Sequence, residues 1–307
     1  MSRSEMSVFG AIDRYWFSPA PAQRLALLRI AVGGFALGYL IWRFDTLTSA
    51  AHFHPNEFAP VGVVKLLPRP LAPGSVSAVA IGAILAGIGF VLGYGYRLTG
   101  PLFALSFLWV ASYRNSWGMI FHVENLASLH LLLLGAAPAA DALALGARRN
   151  VDVAASHGRY GWPIRAMVVV TVVTYVLAGV AKLRFAGLDW ADGHFLREQI
   201  AHDNLRKIEL GSTHAPFGAA LVQYSLPFSV LAVLSLCLEL GAPIALLGRG
   251  VARAWVSAAW GFHLGVAVMM AITFPYQLTL IAFLPFFELE RWRWVGWVTA
   301  RFEAWRR

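Results

Sequence analysis

The residues best placed for chemistry lie in 170–193. An apolar helix there runs into Ala178-Gly179-Val180-Ala181-Lys182-Leu183, and the turn Asp189-Trp190-Ala191-Asp192-Gly193 follows, anchored by its tryptophan. A lysine at the mouth of a greasy helix has two readings. Its stem can lie along apolar surface while the ammonium reaches the lipid headgroups. Alternatively, held among apolar groups, it gives up its proton more readily and serves as a base. Gly179, one turn earlier, lets a second helix or a ligand come close. A second cluster is His122, Glu124, Asn125 and His130, and a third is the separated pair Glu239, in CLELGAP, and His263, in WGFHLGVAVMM.

On an ideal helix each residue turns by about 100°. His122 and Asn125 then share a face, His130 lies to the other side of His122, and Glu124 points nearly opposite and lines up with Ser128. Such a sector either lines an outward-facing pocket or bonds neighbouring helices, and both readings stay open for His122 and Asn125. For His130 and Glu124 the structural reading is preferred. Glu239 and His263 are expected to form a buried polar pair, the cheapest way to hold both inside a bilayer, with Arg29 as a further partner for the acid. A proton path through the two is the alternative, and a proton-coupled carrier the weakest reading of the chain, because neither repeats nor a shared polar stripe support it.

Other chemistries are set aside. No HxxxH or HExxH spacing occurs, so no metal is expected. Cys237 is the single cysteine and lies in an apolar run, which excludes an intrachain disulfide and a cysteine zinc site. No P-loop, strand-linked GxGxxG or GxSxG is present, which argues against ATP-driven transport and nicotinamide chemistry.

The elements that must position these residues are set by composition. The chain is 58% hydrophobic and 13% charged, where a soluble domain carries about a quarter charged residues. Its apolar runs approach the ~20 residues that cross a bilayer. The expected fold is all-α, a polytopic integral membrane bundle of about eight spans at 23–43, 75–96, 99–113, 118–137, 164–184, 226–248, 254–272 and 274–289. Residues 1–22 form an interfacial N-terminal segment, with an amphipathic helix at 5–17 and no cleaved signal. Residues 23–289 form the transmembrane domain, and 290–307 a basic, aromatic tail lying on the membrane. Residues 44–74 read as an extracytoplasmic loop dipping into the interface, and 138–163, with Arg148, Arg149 and Arg159, as a polar connection. More basic residues fall on the side that holds both termini, so both are expected in the cytoplasm. Lys182 and His122 then share the outer boundary. The net charge of +9 is assigned to lipid headgroups rather than nucleic acid.

Several stretches together resemble the horizontally transferred transmembrane (HTTM) domain family, whose best known member is vitamin K-dependent gamma-carboxylase. They are Ser18-Pro19-Ala20 with LALLRIAVGGFALGYL, FAPVGVVKLLP, HVENLASLHLLLLGAAPAADAL, YGWPIR, YVLAGVAKLRFAGLDWADG, LELGAPIALL and FHLGVAVMMAITFPYQLTLIAFLPFFE. The AGVAKL…DWADG block is the most specific. The resemblance implies that Lys182 is the base that deprotonates a reduced quinone and that His122 belongs to the active site; with a quinone as substrate, Asn125, His130 and Trp190 are the expected substrate contacts. It implies reduced vitamin K or menaquinone as cofactor, oxygenated to its epoxide on the extracytoplasmic side, with the strong base so formed permitting glutamate carboxylation. The chain departs from the carboxylase in ending soon after its last apolar run and in placing Ala181 before Lys182. Other members of the family work with separate partners in peptide maturation, so one expectation is the quinone half of the chemistry with a soluble partner protein. The alternative is a non-catalytic membrane partner in the maturation, export or immunity of a small secreted peptide, with a small peptide or soluble protein as its partner. Either is expected in a bacterial plasma membrane.

Overall fold

The computed structural model describes residues 8–118, 120–146 and 155–306. Residues 1–7 of the N-terminal segment, and Arg148 and Arg149 of the polar connection, lie outside the described residues. The fold is nearly all-α: α1 Val8–Trp16, α2 Ala22–Trp42, α3 Phe44–Ser49, α4 Pro73–Leu92, α5 Tyr96–Arg114, α6 Asn125–Ala136, α7 Gly158–Ala186, α8 His194–Glu209, α9 Pro216–Leu221, α10 Leu226–Leu240, α11 Arg249–Met270, α12 Pro275–Leu278 and α13 Arg293–Arg306. The departure from all-α is small. Two-residue strands, β1 Ala20–Pro21 and β2 Ser156–His157, pair antiparallel with Ala20 opposite His157.

Among the described residues three helices are long and apolar enough to cross a membrane: Ala22–Trp42, Pro73–Leu92 and the one that starts at Gly158. Three other expected spans are cut short. The segment expected at 118–137 is helical only over Asn125–Ala136, 226–248 only over Leu226–Leu240, and 274–289 holds the four-residue Pro275–Leu278 and a 3-10 stretch. The causes are local. Asn115 binds both the N–H and the C=O of Phe121, at 2.9 and 2.8 Å, which holds the chain before α6 in a turn. Pro243 and Pro285 lie in the 3-10 stretches that replace helix further on, since proline removes a donor and disfavours α geometry in the residue before it.

The chain divides into two compact units, residues 1–168 with 288–307, and residues 169–287. In the first, α2, α4, α5 and α6 pack around Leu25, Leu28, Val32, Phe90, Phe103, Phe107, Leu131 and Leu134, all essentially buried. The 44–74 loop folds α3 and short 3-10 turns onto the end of α5, burying Val64 beside Tyr113 and setting the Phe58 ring against Trp117 at a tilt. Arg24 of α2 reaches Glu290 at 2.5 Å and Glu288 at 3.4 Å, and Gln23 donates to Thr299 of α13 at 2.7 Å.

Arg29, midway along α2, is fully buried. Its guanidinium donates to the carbonyls of Ala139 at 3.1 Å and Leu143 at 2.5 Å. It therefore serves the turn after α6, and the acid Glu239 pairs with Lys182 instead. Charge-assisted hydrogen bonds of this kind contribute roughly 1.5–3 kcal/mol each. Arg29→Met is expected to destabilise the purified protein by about 3 kcal/mol, read from thermal unfolding in detergent.

The second unit holds α7 from Val169 onward together with α8–α12. Ile200, Phe228 and Met269 form a small core. Lys207 donates to the carbonyls at the end of α11, Met270 and, at 3.5 Å, Ala271. Asp203 lies 2.7 Å from Lys207 and 2.8 Å from Arg206. Burial pushes the Asp203 carboxyl up, but the hydrogen bonds and charges of Lys207 and Arg206 outweigh it and hold it below the usual carboxylate range. A depressed folded-state value contributes stability that is present above the unfolded value, about 3.9, and lost as pH falls through the folded one. Melting temperatures measured from neutral pH downward are therefore expected to drop below pH ~4, with a shallower acid slope in Asp203→Asn.

Candidate functional site

The site centres on Lys182. On α7, Tyr175 and Lys182 are seven residues apart, which leaves them only about 20° apart around the axis. Gly179 lies between them on that face. A Cβ at Gly179 would sit 2.8 Å from Leu240 Cδ2 and 3.1 Å from Glu239 Cβ. The missing side chain thus lets the end of α10 lie against α7, and this close approach carries Glu239 to Lys182. Their side chains form an ion pair through Glu239 Oε1. The other end of α10 is held by the turn after α7. Ser229 Oγ donates to the Asp192 carbonyl at 2.5 Å, and Gly193, at φ +81°, touches the Phe228–Ser229 backbone. The 170–193 stretch therefore grips α10 at both ends.

Around the ammonium stand two aromatic faces, Trp190 at 5.5 Å and Phe262 at 5.7 Å from Nζ to ring centroid, within cation–π range. Trp190 is buried in the 3-10 turn Gly187–Asp192. Its Nε1, and Oε2 of Glu239, are buried without a hydrogen-bond partner among the described residues. The acids beyond Lys182 take no part in its pairing: Asp192 Oδ1 accepts from the His194 N–H at 2.7 Å, and Asp189 is exposed.

Glu239 and His263 are both buried, but Glu239 takes Lys182 rather than His263 as its partner. His263 Nε2 lies 2.8 Å from Tyr175 Oη. The reason is geometric: one face of α7 supplies a partner to each. The rings of Trp255, Phe274 and Phe283 stand around the Tyr175–His263 pair. Sequence reading missed Tyr175 and Phe262. The seven-residue step from Tyr175 to Lys182 was the available signal for the first, and nothing local marks the second.

The remaining candidates lie in the first unit. His122 is exposed in the turn before α6, and its carbonyl accepts from the Asn125 N–H at 3.2 Å. Asn125 is the first residue of α6, so the ideal-helix geometry expected for His122, Glu124 and Asn125 does not hold. Glu124 is buried, accepts a hydrogen bond from Tyr39 and pairs with Arg114 at 3.3 Å. His130 is fully buried, with Nε2 3.2 Å from the Met167 carbonyl, a contact that ties α6 to the start of α7. His122, Asn125 and His130 belong to one unit, and Lys182, Trp190, Glu239 and His263 to the other.

Long apolar helices, with a paired lysine and acid embedded among aromatic rings, define a helical integral membrane protein. Residues 17–292 match the HTTM domain family. The chain belongs to that family, which the match covers along most of its length. No curated protein and no solved structure matches it.

Proposed function

We propose that the protein is a quinone-dependent membrane enzyme, an epoxidase or carboxylase-like relative of vitamin K-dependent gamma-carboxylase, with Lys182 taking a proton from a reduced quinone. The observation that carries this reading is the surroundings of Lys182: two aromatic faces, an acid partner and two buried polar atoms without partners among the described residues. A planar apolar ring bearing a hydroxyl matches the chemistry of these groups. Trp190 and Phe262 offer it flat faces, Lys182 receives the hydroxyl proton, and Trp190 Nε1 has a donor to spare. Bound there, reduced vitamin K or menaquinone supplies the electrons that reduce oxygen, one oxygen atom entering the epoxide and the other leaving as water. The family resemblance adds His122 as an active-site residue and coupling to glutamate carboxylation with a separate peptide or soluble partner protein, and the quinone reading takes Asn125 and His130 as further substrate contacts. The topology that suits this chemistry has about eight membrane crossings, both termini in the cytoplasm of a bacterial cell, and the site at the extracytoplasmic boundary.

Purified protein given reduced menaquinone or reduced vitamin K and oxygen is expected to form the epoxide, and Lys182→Ala to form none. Equal product from Lys182→Ala would remove the lysine from the chemistry. Copurification with a small secreted peptide or a soluble protein, without epoxide formation, would instead favour a non-catalytic role in maturation, export or immunity.

A further inference from the structure

We infer that Glu239 is the proton-accepting partner of Lys182, so that the ion pair works as one acid–base unit. This rests on the reading that a quinol hydroxyl lies against Lys182. An ammonium already carries three protons and has no lone pair for a fourth. A lysine paired to a carboxylate can therefore take a proton only by passing one on. Glu239 Oε1 is the atom it is paired to.

The geometry points the same way. Glu239 is nearly at the end of α10, brought against α7 by the bare backbone of Gly179. Its Oε1 bonds Lys182, while its Oε2 is buried with no hydrogen-bond partner among the described residues. The Oε2 of Glu124 is buried in the same way; what sets Glu239 apart is that its partner Lys182 stands against two aromatic faces, where a ligand ring would lie. An under-bonded carboxylate is the better proton acceptor, since each hydrogen bond to the charged form disfavours its protonation. The step balances without electron transfer. The ligand O–H bond breaks as an N–H bond forms on Nζ, and another N–H bond of Lys182 breaks as an O–H bond forms on Glu239 Oε1. The hydroxyl's electron pair stays on its oxygen. Lys182 ends as it began, an ammonium facing the oxygen where negative charge develops. Glu239 acts through Lys182 and is in that sense a positioning residue.

Infrared difference spectroscopy tests this without turnover. Reduced menaquinone is added anaerobically to the purified full-length protein in lipid nanodiscs, and binding is followed by quenching of tryptophan fluorescence. A protonated-carboxyl C=O band is expected on binding. It should be absent with oxidised menaquinone, which has no hydroxyl proton, and absent in Glu239→Gln and Lys182→Met. It should persist in Glu124→Gln, which removes the other buried carboxylate, and move in Glu239→Asp, which covers the case that Glu239→Gln fails to fold. In oxygen, Glu239→Gln is expected to lose roughly a hundredfold in epoxide formation, with part restored by Glu239→Asp. Quinol binding without the band, or a band that survives Glu239→Gln, overturns the inference. A band without epoxide in oxygen leaves the proton acceptor standing and overturns the epoxidase reading, and epoxide without a band does the reverse. No binding of reduced menaquinone overturns both.

Discussion

Lys182→Met is expected to destabilise the protein by about 3–5 kcal/mol, the range seen when one partner of a buried ion pair is removed. The cause is the residue left behind. The Glu239 side chain is 4% exposed, while that of Lys182 is 20% exposed, so methionine replaces the lysine stem with little loss of packing and strands a carboxylate among apolar helices. The second variant separates charge from packing. In Lys182→Met with Glu239→Leu no charge remains to be paired, and replacing a buried pair by hydrophobic residues of similar volume is often neutral or better. The double variant is expected to recover most of the loss in thermal unfolding in detergent. A double variant no more stable than Lys182→Met would show that the two side chains are not coupled.

Gly193→Ala is expected to cost about 3 kcal/mol for two reasons that add. Its φ of +81° is a left-handed conformation, which costs an ordinary residue roughly 1–2 kcal/mol. A Cβ there would also lie 2.3 Å from both the Phe228 carbonyl carbon and the Ser229 nitrogen. These are backbone atoms that cannot swing aside, and overpacking costs about 1–3 kcal/mol. Gly187 separates the two contributions. It has φ +60°, and nothing lies within 4 Å of its Cβ position, so Gly187→Ala is expected to show the conformational cost alone, about 1 kcal/mol. Equal melting temperatures for the two alanine variants would mean that α10 does not press on Gly193.

What the sequence made legible is what local pattern controls. Apolar run length marked α2, α4 and α7, and the AGVAKL…DWADG block drew attention to Lys182, Gly179 and Trp190. Pairing across the fold was less legible. The partner of Lys182 is 57 residues away, and Glu239 read as a mid-span acid because hydropathy runs on past Leu240 although the helix does not. The same limit hid Tyr39 and Arg114 as the partners of Glu124. His122 was placed on a helix because its neighbours are apolar enough to extend one. A side chain from the end of α5, Asn115, holds that segment in a turn instead, and hydropathy carries no record of such a bond. His130 is a buried imidazole, which needs a partner, and its Nε2 has one in the Met167 carbonyl.

The contacts of Arg24 and Gln23 with Glu290 and Thr299 have a consequence for the order of assembly. These partners are separated by 266 and 276 residues, and the whole of residues 169–287 lies between them in sequence. A growing chain makes α2 early but cannot close these contacts until its last helices have left the ribosome. At ~5–20 residues per second, that leaves the basic face of α2 waiting for roughly 15–50 s. The intervening unit therefore has time to settle first. The return of the C-terminal helix then completes the first unit, making it a late, long-range closure rather than a nucleus.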